Sequence, residues 1–151
     1  MLRKKLTKSE LISAWSMIII CAIFYCYEYF LRISPGVMID QLMAYFNVDA
    51  KQIGDIQQAY FYAYTPMQLI VGILVDRYRP KFLLPFAVLM CALGGYLTSA
   101  TNLVLVAESG RFLQGFGSAF AFVGAMKIAA VWLPKNRFSF VAGCVTTIGF
   151  I

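Results

Sequence analysis

An all-α fold that crosses a membrane several times is predicted by three features of this 151-residue chain. Hydrophobic residues make up 61% of it and charged residues only 13%, where a soluble domain carries about a quarter charged. The mean hydropathy is +0.74. Two uncharged runs, 20 residues from Ile56 to Val75 and 26 from Phe82 to Ala107, are each long enough for the roughly 20 residues a crossing helix needs. Charges cluster where such runs stop, as in Asp76-Arg77-Tyr78-Arg79-Pro80-Lys81.

The spans follow in order. The first is expected over 12–42, with Pro35-Gly36 kinking it, since proline removes a helix donor. The second covers 52–75, with Pro66 near its middle. The third covers 82–100 and the fourth 102–133, the latter stopping at Pro134 after Trp132. A fifth begins at Phe138 and has 14 residues, fewer than a crossing requires. Four full helices and an incomplete fifth are therefore expected. The Met1-Leu2-Arg3-Lys4-Lys5 start resembles a signal-peptide opening. The apolar segment behind it is too long and lacks a small-x-small cleavage site, so it reads as a retained first helix.

Lysine and arginine set the expected orientation. With the N-terminus inside, nine of thirteen basic residues fall on inner segments and only Lys51 on an outer loop. This places the N-terminus in the cytoplasm of a multi-pass protein of the inner (plasma) membrane.

Composition also excludes classes of function. Net charge is +6, but no soluble face exists to carry a nucleic-acid-binding patch. There is no histidine, and Cys21, Cys26, Cys91 and Cys144 all sit in apolar runs without metal-type spacing. No set of nucleophile, base and oxyanion donors assembles from these residues, so no enzyme and no cofactor is expected.

Charges inside the spans are the candidate functional residues, because each is disfavoured by about 2.5–3.5 kcal/mol at the bilayer centre. Glu28 and Arg32 stand at i and i+4 in the favourable order for pairing. They either neutralise each other and lock the first span, or present Arg32 to an anionic substrate group with Glu28 as partner or proton site. Arg111 lies two to three turns into the fourth span, too deep to reach water easily, with Gln114 on the next turn. Lys127, seven residues before Pro134, is placed to snorkel to the inner interface. Gly110, Gly117 and Gly124 recur every seven residues along one side, a stripe for close helix approach. On the second span Gln57, Tyr60, Phe61, Tyr64, Gln68 and Gly72 share one broad face, expected to turn inward to a cavity or to other helices.

Three motifs at the right mutual spacing resemble the major facilitator superfamily of secondary transporters. They are Gly72, Leu74, Asp76, Arg77 and Lys81 after the second span, Arg111-x-x-Gln114-Gly115-x-Gly117-x-Ala119 on the fourth, and Trp132-Leu133-Pro134-Lys135-Asn136-Arg137 before the fifth. Arg79 stands where the usual loop has glycine, which puts the shape of that turn in question. The resemblance implies part of the N-terminal six-helix half of a two-half fold, with substrate near the midplane and transport by rocking one half against the other. It also implies that Gly72, Asp76, Arg77 and Lys81 form a conformational-switch loop against other helices at the inner face. The segment Tyr29-Phe30-Leu31-Arg32-Ile33-Ser34-Pro35 is similar to the first helix of organic-anion and organophosphate members, where the arginine contacts substrate. The run from Ser118 to Lys127 with Trp132-Leu133-Pro134 is similar to phagosomal nutrient transporters of intracellular bacteria.

The expected function is secondary transport of a small polar or anionic nutrient (amino acid, nucleoside or organic anion), coupled to protons. Glu28, Arg32, Tyr64, Gln68, Arg111 and Gln114 are the substrate or coupling candidates. The expected partners are the lipid bilayer, the substrate, H+, and further C-terminal helices or a complementing chain. A piece of this length is not expected to transport alone. The alternative is a non-transporting helical membrane protein that pairs with another chain.

Overall fold

A computed structural model describes residues 8–78 and 80–132, together with Ser139, Ala142, Gly143, Thr146 and Thr147. Five helices follow one another: α1 Lys8–Val37, α2 Ile39–Phe46, α3 Ala50–Arg77, α4 Pro80–Ser99 and α5 Val104–Trp132. The expected fifth span, 138–151, lies outside the continuously described residues.

The first expected segment is divided at Met38. Pro35 sits inside α1, and its missing N–H leaves the Leu31 carbonyl without its i+4 donor. Arg111 Nη1 on α5 donates to that carbonyl at 2.9 Å. The short α2 ends at Asn47, which adopts the left-handed conformation (φ 53°) and donates its N–H to the Met43 carbonyl, a stop that asparagine tolerates. Two residues later a capping box starts α3. Asp49 Oδ1 accepts from the Gln52 N–H at 2.9 Å, and the Asp49 N–H donates to Gln52 Oε1. Helix therefore begins at Ala50, two residues ahead of the expected boundary. α3 then continues unbroken through Pro66, and α4 opens on Pro80, where a missing N–H is harmless.

α5 is the central element and packs on α4, α3 and α1; α2 lies against α3 and α1. Contacts fix the directions. Gly94, Cys91, Ala87 and Leu84 of α4 meet Gly110, Gln114, Gly117 and Gly124 of α5 in turn, an antiparallel register. Tyr60 and Asp76 of α3 meet Gly115 and Lys127 of α5, a parallel one. α1 runs antiparallel to α5, since Leu31 meets Arg111 and Tyr25 meets Phe122. Short connections between successive helices demand this alternation.

The glycine stripe of α5 is the face that α4 occupies. A Cβ at Gly110 would lie 2.5 Å from Thr98 Oγ1, and one at Gly117 would lie 2.6 Å from the Ala87 carbonyl oxygen. Gly115, off that stripe, is closer still to α3: its Cβ would overlap the Tyr60 carbonyl. Small residues let backbones approach where dispersion rather than water drives association.

The buried face of α3 differs from the expected one. Ile53, Ile56, Tyr60, Ala63, Met67, Val71 and Val75 are buried, whereas Phe61 is 45% exposed. Gln57, Tyr64, Gln68 and Gly72 lie at the edges, half-buried. Two core clusters result. One joins Cys21, Phe24 and Tyr25 to Val71, Cys91, Phe120 and Ala125; the other joins Phe46, Ile53, Ile56 and Ala107 near the α2 end.

Polarity is distributed inside out. Ile23, Phe30, Leu69, Ile73, Phe82 and Leu105 are exposed, while Glu28, Arg111, Gln114 and Ser118 are buried. Water as solvent would favour the reverse; lipid favours this arrangement. Among the described residues, one helical window, Phe82–Ser99, is apolar enough throughout to pass as a crossing segment by hydropathy alone. The amides and tyrosines of α3 lower its mean.

Candidate functional site: a charged cluster between α1, α3 and α5

The site begins with the one-turn spacing of Glu28 and Arg32, which brings both side chains to the same side of α1. Glu28 is fully buried, and its Oε1 accepts from Arg32 Nη2 at 2.5 Å and from the Tyr60 hydroxyl at 2.5 Å. Tyr60, also fully buried, comes from α3. The Arg32 guanidinium lies 4.5 Å from the Tyr64 ring centroid and 5.6 Å from that of Tyr29, distances at which ring faces attract cations. Tyr60 and Tyr64 stack at 5.7 Å with an interplanar angle of 17°.

Arg111 approaches from the other side. It is 4% exposed, its Cζ is 5.2 Å from the Tyr60 ring, and Nη1 donates to Gln114 Oε1 at 2.7 Å as well as to Leu31. Tyr60 thus has a guanidinium near it from each of two helices, with Arg32 at 5.9 Å. One carboxylate against two guanidiniums leaves one positive charge without a counter-charge among the described residues of the cluster. Among the described residues Arg111 makes no ion pair. Three buried polar atoms also have no partner there: Glu28 Oε2, Arg32 Nε and Arg111 Nε. Buried polar groups are nearly always satisfied, so these atoms mark where something else binds or packs.

Of the sequence candidates, Glu28, Arg32, Tyr64, Arg111 and Gln114 come together in this cluster. Gln68 is half-buried one turn beyond Tyr64 on α3. The loop candidates lie at the far end. Asp76 pairs with Lys127 of α5, so Lys127 does more than reach the interface. Arg77 is exposed in the last turn of α3, where a basic side chain complements the helix C-terminus. Gly72 is half-buried, and a Cβ there would meet nothing within 4 Å. The Lys81 side chain lies outside the described residues.

Tyr60 and the Leu31 carbonyl were missed as site members. Tyr60 was detectable one turn before Tyr64, and Leu31 lies four residues before Pro35.

The sequence profile of the Major Facilitator Superfamily matches residues 17–151. This chain belongs to the Major Facilitator Superfamily. Membership makes it a membrane protein, in keeping with its buried charges and exposed apolar side chains. It is 31% identical over 110 residues to an uncharacterized transporter, YybO, of Bacillus subtilis, covering 73% of this chain and 25% of that protein. It is 26% identical over 124 residues to a probable sulfoacetate transporter, SauU, of Cupriavidus necator, covering 82% and 29%. A probable anion transporter 4, chloroplastic, of Oryza sativa is 24% identical over 130 residues, covering 82% and 21%. The chain therefore spans between a fifth and a third of the length of these relatives. No solved structure matches it significantly.

Proposed function

We propose that the protein carrying these residues is a secondary transporter of a small organic anion, a nutrient, working by alternating access in the inner membrane. The observation that carries this reading is the uncompensated positive charge of the Glu28–Arg32–Arg111 cluster. A buried cation without a counter-charge is expensive, and an anion arriving from water removes that expense. Relatives named for sulfoacetate and anion transport point the same way.

In this mechanism the Arg32 guanidinium, half-buried and flanked by Tyr29 and Tyr64, meets the substrate's anionic group, with Gln68 as a further polar contact. Glu28 is the proton site. While ionised it holds Arg32 and Tyr60 through Oε1; protonation weakens that hold and frees Arg32 for the anion, coupling proton and substrate movement. Arg111, steadied by Gln114, ties α5 to the end of α1, so changes at the cluster are felt across the bundle. Asp76, Arg77 and the loop after α3 take the conformational-switch role, with Lys127 as the partner of Asp76 on α5. The N-terminus is cytoplasmic, which puts Asp76 and Lys127 at the inner face. The remaining helices of a two-half transporter, on the same or a second chain, complete the substrate cavity.

The test is uptake by the membrane-inserted gene product that carries these residues, screened with sulfonates, carboxylates, amino acids and nucleosides under an imposed pH gradient. Arg32→Lys keeps the charge but loses the planar fork, and is expected to weaken substrate affinity; Arg32→Ala is expected to abolish uptake. Unchanged uptake and affinity in both variants would reject the substrate role of Arg32.

A further inference from the structure

A cavity of about 550 Å³ lies on the α2 side of the cluster, between the end of α1, α2, the start of α3 and the facing ends of α4 and α5. Its walls are mainly apolar, including Pro35, Leu42, Phe46, Ile53 and Ile56, and Arg111 and Gln114 stand among them. Arg32 and Tyr64 do not line it. The volume falls within the range of small-molecule sites, which pair apolar walls with a few placed polar groups.

Arg111 supplies the charge. Nη1 is used by two neutral acceptors, the Leu31 carbonyl and Gln114 Oε1. Nε, which with Nη2 forms one bidentate edge of a guanidinium, has no partner among the described residues. A carboxylate or sulfonate would supply the counter-charge that Arg111 lacks among the described residues. A bare inorganic anion would leave most of the cavity unfilled against apolar walls, whereas an organic group carried by the anion would fill it.

We propose that this cavity is a second anion site, separate from the Arg32 face, which takes an amphipathic organic monoanion with its charged head on Arg111 and its apolar body against α2 and α3. The bond from Arg111 to Leu31 anchors the end of α1, and the charge of the same side chain holds the ligand.

Binding of benzoate, benzamide and chloride to the membrane-inserted protein in phosphatidylcholine nanodiscs, followed calorimetrically, tests this. Saturable benzoate binding is expected, with benzamide at least tenfold weaker and chloride unable to displace benzoate at similar concentration. Leu42→Trp fills the cavity from the α2 side, leaves Arg111 and its bond to Leu31 in place, and should weaken benzoate at least tenfold. Arg111→Gln should do the same. Equal binding of benzamide, full affinity in Leu42→Trp, or no saturable binding overturns the proposal. Competition by added phosphatidylglycerol also overturns it, by making the site a lipid-headgroup site, and equal competition by chloride does so by making it inorganic.

Discussion

Replacing Gly115 by alanine is expected to separate α3 from α5. The added methyl would overlap the Tyr60 carbonyl oxygen and lie 2.9 Å from its carbonyl carbon. Both are backbone atoms, so no rotamer change relieves the contact and a helix must move. Alanine gains about 1 kcal/mol over glycine in helix propensity. Overpacking against rigid neighbours is destabilising by about 1–3 kcal/mol, and a backbone obstacle belongs at the upper end. Moving α3 also lengthens the bond from Tyr60 to Glu28; side-chain bonds between membrane helices are worth about 0.6 kcal/mol on average. The net expectation is a loss of about 2–3 kcal/mol. Gly124→Ala is the comparison, because its methyl would meet only the tip of Leu84, at 3.0 Å. That tip can rotate away, so the change should stay within about 1 kcal/mol of wild type. Gly72→Ala, whose methyl would meet nothing within 4 Å, should be neutral or slightly stabilising. Reversible unfolding of the purified protein in mixed micelles measures all three. Gly115→Ala no less stable than Gly124→Ala would refute the claim that α3 and α5 touch backbone to backbone at Tyr60.

Three further outcomes are expected. Tyr60→Phe leaves the ring between the guanidiniums but removes a donor from Glu28; stability should fall by about 0.6–1.7 kcal/mol and the pH dependence of uptake should shift, and an unchanged profile would remove Tyr60 from the coupling machinery. Asp76→Asn breaks the pair with Lys127 and should slow conformational cycling with little change in substrate affinity, read as a lower maximal uptake rate; loss of affinity alone would reject that role. Pro35→Ala restores an N–H that can bond to the Leu31 carbonyl, so it competes with Arg111. It should straighten α1 and raise the spin-label distance between α2 and α5, while an unchanged distance would show that the break at Met38 does not depend on the proline.

The helices were legible because charge and hydropathy mark them directly, and Glu28–Arg32 was legible because four residues make one helical turn. The glycine stripe was legible for the same reason: a seven-residue repeat keeps Gly110, Gly117 and Gly124 on the face that α4 covers. What escaped depends on which helices become neighbours. Phe61 reads as part of an inward aromatic face, yet lipid accommodates an outward phenylalanine as readily as a core does. Tyr60 reads as one aromatic among several until α1 sets Glu28 opposite its hydroxyl. Asp76 and Lys127 are 51 residues apart, and no local pattern announces their meeting. The capping box at Asp49 and Gln52 was in plain view, but its signal is polar and sits outside the hydrophobic run that defined the span.

Proline 35 and Arg111 make sense together rather than singly. A proline in a membrane helix exposes a carbonyl that lipid cannot satisfy, and an arginine in the same environment is a charge that lipid cannot solvate. Each is unfavourable alone, and the 2.9 Å bond from Arg111 to Leu31 offsets part of both penalties. One carbonyl is nevertheless a small return for a full buried charge: a hydrogen bond from a charged donor contributes only about 1.5–3 kcal/mol, and a neutral amide or hydroxyl on α5 could make a bond to the same oxygen. Support of that carbonyl therefore explains why α5 carries a donor at this position, not why that donor is an arginine. What the bond to Leu31 leaves unexplained is the charge, and Arg111 carries that charge on the wall of an apolar cavity, where the proposed anion would meet it.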